Sequence, residues 1–310
     1  MKLNIVIPCF NEEEVLHETN RQLTGLIDSM ITEGLLKECD ILYVDDGSKD
    51  NTWLIIEELQ ASSPYAHGLK LAHNVGHQNA LWAGLEYSTD KCDAAVSIDA
   101  DLQHDINKIK EMVLAYQQGY EVVYGIRNDR ATDSAFKKRT ALSFYKLMQK
   151  MGVDLIPNHA DFRLLGKNAL KALTSFPERN LFLRGMVRLL GFKETQVYFD
   201  CNDRFAGESK YTLKKMFNFA IDGITSFSVK PLRIIALIGL ACVGVSLAEM
   251  VYILVAYFQG NTIRGWASLL FSVWFIGGLL LFSVGVVGEY IGKIYKEVKR
   301  RPRYIIEKEV

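Results

Sequence analysis

Two long apolar runs toward the carboxyl end, Leu232–Phe258 and Trp266–Ile291, constrain this chain more than any other feature. Each exceeds the roughly 20 residues that an α-helix needs to cross a bilayer core, so two transmembrane helices are expected. The connecting segment QGNTIRG carries one charge, Arg264, and is short enough to force a tight hairpin whose two ends return to the same side. Lys210, Lys214, Lys215, Lys230 and Arg233 precede the first run, while Lys293, Lys296, Lys299, Arg300, Arg301 and Arg303 follow the second. Basic flanks of this kind stay in the cytoplasm. A buried soluble helical hairpin is the alternative, but it would need neither runs of this length nor flanks this basic. Glu249 and Glu289 lie within or at the ends of the runs. Intramembrane carboxylates are functional candidates, although Glu289 can snorkel to the interface and Glu249 can simply face a partner helix.

The hairpin divides the chain into a cytosolic domain over 1–210, a juxtamembrane helix over 211–230, the two spans over 231–292 and a basic cytosolic tail over 293–310. In the juxtamembrane stretch Leu213, Met216, Phe217, Ala220, Ile224 and Phe227 recur at helical spacing with polar residues between them. That periodicity fits a helix lying on the membrane surface and fits equally a helix packed on the cytosolic domain. The amino terminus, MKLNIVIPCFNEE, turns polar after a very short apolar run, unlike a cleaved signal peptide. Cys9, Cys39, Cys92, Cys201 and Cys242 form no CxxC pair, which argues against a zinc site or disulfide framework and for reduced core thiols. Lys+Arg and Asp+Glu both number 36, so no net field recruits nucleic acid.

Leu3–Pro8, Ile41–Val44, Leu69–Leu71, Ala94–Ile98 and Val122–Gly125 are short β-rich runs. They alternate with helical stretches at Glu13–Ile31, Thr52–Ala61, Gln78–Tyr87 and Ile106–Gln118. Strand–helix alternation predicts an α/β domain, a parallel sheet covered by helices. In such sheets ligands bind beyond the carboxyl ends of the strands. The residues at those ends are polar: Asn11 and Glu12, then Asp45, Asp46, Gly47 and Ser48, then His73 and Asn74, then Asp99, Asp101 and Gln103, then Arg127 and Arg130. Asp99 and Asp101 can share one pocket, and hard oxygen ligands with open coordination positions suit Mg²⁺ or Mn²⁺ bridging a substrate's phosphates. Helix capping explains Asp50 and Asn51 but leaves the Asp45–Asp46 pair unexplained. Neither GxGxxG nor GxxxxGK[ST] occurs. No spacing joins His73, His77 and His159 into a ligand set, so they read as satisfied polar side chains.

In their order along the chain, IPCFNEE, VDDGSKDNT, LAHNVGHQNA, DADLQ, GIRNDR, DFRLL and RFAGESKY resemble the motifs of family 2 glycosyltransferases. The similarity is to the polyprenyl-phosphate branch, which includes dolichyl-phosphate mannose synthase and the bactoprenol glucosyltransferases. It spans residues 3–215, and the two-helix tail looks like the bactoprenol type. The resemblance implies a GT-A (Rossmann-like) nucleotide-sugar domain followed by a transmembrane hairpin in the inner membrane, with the catalytic domain and both termini cytoplasmic. It also implies roles. Pro8, Phe10, Glu12, Asp45 and Asp46 would hold the nucleotide, and Asp99, Asp101 and Gln103 would surround the metal and diphosphate. Arg127 and Arg139 would clamp the acceptor phosphate, while Arg204, Ser209 and Lys210 would contact the diphosphate. Asp161 is a candidate for orienting acceptor or donor sugar, with a structural ion pair to Arg163 as the equal alternative. Phe10 stands where many relatives have Tyr, and Asp105-Ile106 where many have proline; neither departure removes a charge.

The activity so implied is inverting transfer of a hexose, glucose if the resemblance extends to the sugar, from a nucleotide sugar, UDP-linked by the bacterial-type tail, to undecaprenyl or another polyprenyl phosphate. A phosphate monoester is already largely dianionic at neutral pH and needs no protein base. Guanidinium groups match phosphate geometry. The partners expected are the nucleotide sugar, the lipid acceptor, the membrane, a second copy of the chain and a flippase acting on the product. A processive polysaccharide or glycolipid synthase would add a QxxRW motif and more spans, and neither occurs. An inactive membrane scaffold would have lost motif charges, and none is missing.

Overall fold

The computed structural model describes residues 1–128, 148–152, 156–201, 223–226, 228–259 and 265–310. The expected juxtamembrane helix over 211–230 therefore lies mostly outside the described residues, which cover only 223–226 and 228–230 of it. The amino-terminal part is an eight-stranded sheet in the order β7-β5-β6-β4-β1-β2-β3-β8. Its strands are β1 (Lys2–Cys9), β2 (Glu38–Asp45), β3 (Ala66–Leu71), β4 (Ala94–Ser97), β5 (Val122–Arg127), β6 (His159–Gly166), β7 (Glu194–Phe199) and β8 (Ile306–Glu309). Around them lie α1 (Leu16–Thr32), α2 (Thr52–Ser62), α3 (His77–Ser88), α4 (Lys108–Gln117), α5 (Lys167–Thr174) and the short α6 (Leu183–Met186). The five strands expected from the sequence are present.

The sheet is mixed, which corrects the expectation of a parallel one. β6 runs antiparallel to both β4 and β5, and β8 runs antiparallel to β3. The physical consequence is that the amino end of β6, with Asp161, comes to the same edge as the carboxyl ends of β1, β2, β4 and β5.

Both sheet faces are covered, so the central strands are apolar on both sides. In β1, Leu3, Ile5 and Ile7 join the core beneath α1, α2 and α4, while Val6 points to the opposite core beneath α3 and α5, as strand alternation requires. A Cβ on Gly84 would lie 2.3 Å from Val6 Cγ1 and 2.9 Å from Val44 Cγ2, so only glycine lets α3 lie this close to the sheet. That contact sets where the first turn of α3 falls over the strand ends.

Beyond the domain come α7 (Lys230–Phe258) and α8 (Trp266–Lys299). Among the described residues one segment, Phe275–Lys299, is long and apolar enough to cross a membrane. Leu280, Leu281, Phe282 and Val284 of α8 and Leu237, Leu240 and Val251 of α7 are exposed, an apolar surface that water would penalise. α8 continues to Lys299 rather than ending at 292, and the tail after it is an edge strand rather than a free basic segment. Gly68 N and Val310 O, and Val310 N and Gly68 O, are joined at 2.8 and 2.9 Å, and Ala72 N donates to Ile305 O. Arg303 lies 4.3 Å from the buried Trp82 ring and donates to the carbonyls of Phe176 and Glu178. Glu297 of α8 accepts from the backbone amides of Arg179 and Asn180 at 2.7–2.9 Å. The base of the hairpin is thereby tied to the domain.

Candidate active site

The loops after β1 and β2 are knit together. Asn11, in the left-handed region at φ 53°, donates its amide to Ser48 Oγ and accepts from Lys49 N through Oδ1. Glu12 N donates to Thr52 Oγ1, and Glu13 holds Asn51. Pro8 is buried opposite Val44, and Phe10 and Glu12 are half-buried at the mouth. Gly47, at φ 65°, lets the backbone of His73 and Asn74 approach within 2.7 Å of where a Cβ would stand.

The adjacent carboxylates have different surroundings. Asp46 accepts from Val75 N at 2.7 Å and Gly76 N at 3.0 Å, so both its oxygens fix the loop leading into α3. Asp45 is wholly buried, accepts from Ser48 N through Oδ1, and leaves Oδ2 buried without a partner. Burial pushes both carboxyls above the usual range. An orphaned buried acceptor is costly unless something donates to it, which marks Asp45 Oδ2 as a ligand-facing atom.

After β4, Asp99 receives a hydrogen bond from His77 Nε2 at 3.1 Å, and His104 Nε2 lies 3.8 Å away. Burial works against the Asp99 charge, but the hydrogen bond from protonated His77 prevails and brings its pKa down to about 2. Burial likewise opposes the charge on His77, and Asp99 overcomes it and raises His77 to about 9. His104 is buried against Phe162 and Phe199, and burial keeps it neutral. Leu102, at φ 57°, makes a strained turn between Asp101 and Gln103, whose amide donates to Asp101 Oδ1.

Asp161 is half-buried between two guanidinium groups. Arg163, 1% exposed, pairs with it from the same strand, and Arg184 donates from Nε at 3.3 Å and Nη2 at 3.0 Å. Burial opposes the charge, yet the two arginines hold the carboxyl well below the usual range. The cluster keeps one net positive charge, and Arg163 Nε and Nη1 and Arg127 Nε are buried without partners. Asp99 and Asp101 follow β4, Arg127 ends β5 and Asp161 lies near the start of the antiparallel β6 between those strands, so these groups share one edge of the sheet. Of the residues singled out in the sequence, Asp99, Asp101, Gln103, Arg127 and Asp161 converge here, next to the mouth formed by Phe10, Glu12, Asp45 and Asp46. Arg139, Arg204, Ser209 and Lys210 lie outside the described residues.

The histidines depart from the sequence reading. His77 is a site residue, His159 is buried with Nε2 unpartnered, and His73 is exposed. Arg184 was not legible as a site residue at all. His77 opens α3 directly after Val75 and Gly76, the loop residues whose amides Asp46 pins. Cys9, Cys39 and Cys92 are buried thiols as expected, whereas Cys201 is exposed and Cys242 half-buried.

Asp99, Asp101 and Gln103 offer only oxygen-bearing side chains, the donor type that Mg²⁺ and Mn²⁺ take. Among the described residues no three His, Cys, Asp or Glu side chains are placed to hold a metal ion by themselves. Two carboxylates and one amide are fewer ligands than either ion takes, so this set would hold a cation only with further oxygens, such as a substrate's phosphates, in its shell.

Residues 4–174 match Glycosyl transferase family 2, and residues 230–294 match the GtrB C-terminal hairpin. An uncharacterized glycosyltransferase, YkoT, of Bacillus subtilis (strain 168) is 52% identical over 98% of this chain and 91% of its own length. The bactoprenol glucosyl transferase of Shigella phage SfII is 40% identical over 99% of this chain and 98% of its own. Among solved structures, glucosyl-3-phosphoglycerate synthase from Mycobacterium tuberculosis in complex with Mn²⁺, UDP and phosphoglyceric acid gives a TM-score of 0.47 at 19% identity, covering 72% of this chain and 76% of that one.

Proposed function

The chain belongs to glycosyl transferase family 2 and is a glycosyltransferase of GT-A fold; from that premise we propose that it transfers glucose from UDP-glucose to undecaprenyl phosphate at the cytoplasmic face of the inner membrane. The observation that carries the acceptor is the 40% identity to bactoprenol glucosyl transferases along 99% of the chain, the hairpin included. The site chemistry supports it. Asp45 Oδ2 is a buried acceptor awaiting a donor from the nucleotide, while Asp46 keeps the loop and His77 in place.

Asp99, Asp101 and Gln103 would hold Mg²⁺ or Mn²⁺, which when bound neutralises the donor diphosphate. Arg204, Ser209 and Lys210 are assigned to the same diphosphate. The acceptor phosphate, already dianionic, attacks the sugar C1 directly as the bond from C1 to the diphosphate oxygen breaks, inverting the anomeric centre and releasing UDP. Arg127 and Arg139 grip that phosphate, and the surplus positive charge of the Asp161–Arg163–Arg184 cluster favours an anion beside them. Asp161, locked as a carboxylate by two arginines, acts by positioning Arg163 and Arg184. Both termini are cytoplasmic, the hairpin crosses twice, and the lipid-linked sugar becomes a donor for cell-envelope glycan modification after a flippase moves it.

The test is incubation of the purified full chain with a panel of nucleotide sugars, undecaprenyl phosphate and Mg²⁺ or Mn²⁺, followed by mass spectrometry of the lipid extract. One hexose added to undecaprenyl phosphate from UDP-glucose is the expected product. Transfer to other acceptors with the lipid untouched would overturn the reading.

A further inference from the structure

The basic cluster at the end of α8 has no part in the chemistry above. Its side chains converge. A cavity of about 270 Å³ between the last turns of α8, the turn after it, the segment before α6 and the first turn of α3 is lined by Arg179, Lys296, Lys299, Arg301 and Arg303, with Asn79 at its inner side and no carboxylate in the lining. The Arg303 guanidinium is anchored by carbonyl bonds and by Trp82, and the backbone that carries Arg179 is tied to Glu297, so Arg303 is held in place and Arg179 is rooted beside it. Arg179 Nε is buried without a hydrogen-bond partner. Burial, and next the nearby Arg179 charge, lower the pKa of Arg303. Like charges held together at a closed surface are unfavourable until an anion joins them.

The neighbouring surface says where the anion comes from. Ile291, Ile294, Tyr295 and Val298 recur at helical spacing along α8, and each is more than half exposed. An apolar stripe continuous with the membrane span thus runs down to the level of the cavity, where Tyr295 belongs to both. A free phosphate would use the cations and leave the stripe wet; a lipid uses both. None of Asp99, Asp101 and Asp161 lines the cavity.

We propose that this cavity binds the phosphodiester headgroup of an anionic membrane phospholipid, with an acyl chain along the Ile291–Val298 stripe. The lipid seats the hairpin's base against the catalytic domain at the leaflet surface. Basic residues near an anionic leaflet contribute about 1 kcal/mol each, so removing two should weaken binding roughly thirtyfold.

The experiment is native mass spectrometry of the full chain released from mixed micelles, titrated separately with phosphatidylglycerol, phosphatidylcholine, undecaprenyl phosphate and inorganic phosphate. The Lys299→Gln/Arg301→Gln protein is compared with Arg233→Gln/Arg300→Gln, which removes two exposed juxtamembrane charges outside the cavity. The expected result is saturable binding of phosphatidylglycerol, preferred over phosphatidylcholine, that the cavity variant loses and the control variant keeps. Equal losses in both variants would reduce the effect to general surface charge and overturn the proposal. So would inorganic phosphate displacing the lipid, or undecaprenyl phosphate alone showing the cavity dependence. Far-ultraviolet circular dichroism and melting of both variants verify that each is folded.

Discussion

Asp45 and Asp46 are adjacent, both buried and both at the end of β2, yet substitution by asparagine should affect them in opposite ways. Asp46 accepts two backbone amides, from Val75 and Gly76. A hydrogen bond to a charged group contributes about 1.5–3 kcal/mol. Asparagine can keep one and turns an NH₂ toward the other donor, so Asp46→Asn should cost about 2–4 kcal/mol of stability. At about 2–4 °C per kcal/mol that is a large fall in Tm. Asp45 holds one amide through Oδ1, and burial raises its pKa. A carboxyl with a higher pKa folded than unfolded makes stability fall as pH rises through the interval between the two values, and that loss persists above it. Asp45→Asn removes this cost. Its Tm should equal or exceed wild type, by a larger margin at pH 7 than at pH 4. It loses instead the charged acceptor for the nucleotide, weakening UDP binding by about 1.5–3 kcal/mol, roughly ten- to a hundredfold. Differential scanning calorimetry and titration calorimetry with UDP on both proteins supply the comparison. The reasoning fails if Asp46→Asn melts like wild type, or if Asp45→Asn is destabilised and binds UDP normally.

Arg303→Ala removes bonds to two carbonyls and the stacking on Trp82, and should destabilise the domain by about 2–4 kcal/mol and expose residues 304–310 to protease, read by melting and limited proteolysis. Asp101→Asn should reduce transfer about a hundredfold or more with an unchanged melt, and chelation should do the same to wild type until Mg²⁺ or Mn²⁺ is restored; near-normal turnover in either case removes the metal from the account. A cysteine introduced beside Gly260 should react with an impermeant thiol reagent added outside the cell, while one replacing Lys308, whose strand is part of the catalytic sheet, should not; the reverse pattern would invert the topology.

Much of the fold is written in local pattern. β1 to β5 are legible because a strand buried on both faces must be almost wholly apolar over its length. β6 is not, because HADFRLLG carries Asp161 and Arg163, charges tolerated there only because Asp161 pairs with both Arg163 and Arg184. β8 reads as a charged tail, since IEKE is exposed on an edge and gains its place through backbone pairing with β3, which no side-chain pattern reports. The strand-end carboxylates mark the site's location. What each does depends on partners the sheet order brings in from elsewhere. Asp46 is committed to the loop before α3, Asp99 meets His77 across two elements, and Arg184 reaches Asp161 only because β6 runs antiparallel.

The central claim is that a lipid phosphate accepts the sugar. UDP release from UDP-glucose by the full chain in nanodiscs, measured while undecaprenyl phosphate is titrated into the bilayer, tests it most directly. The account predicts negligible release without the lipid and saturable, stoichiometric release as it is added. Release that proceeds undiminished in its absence would contradict it.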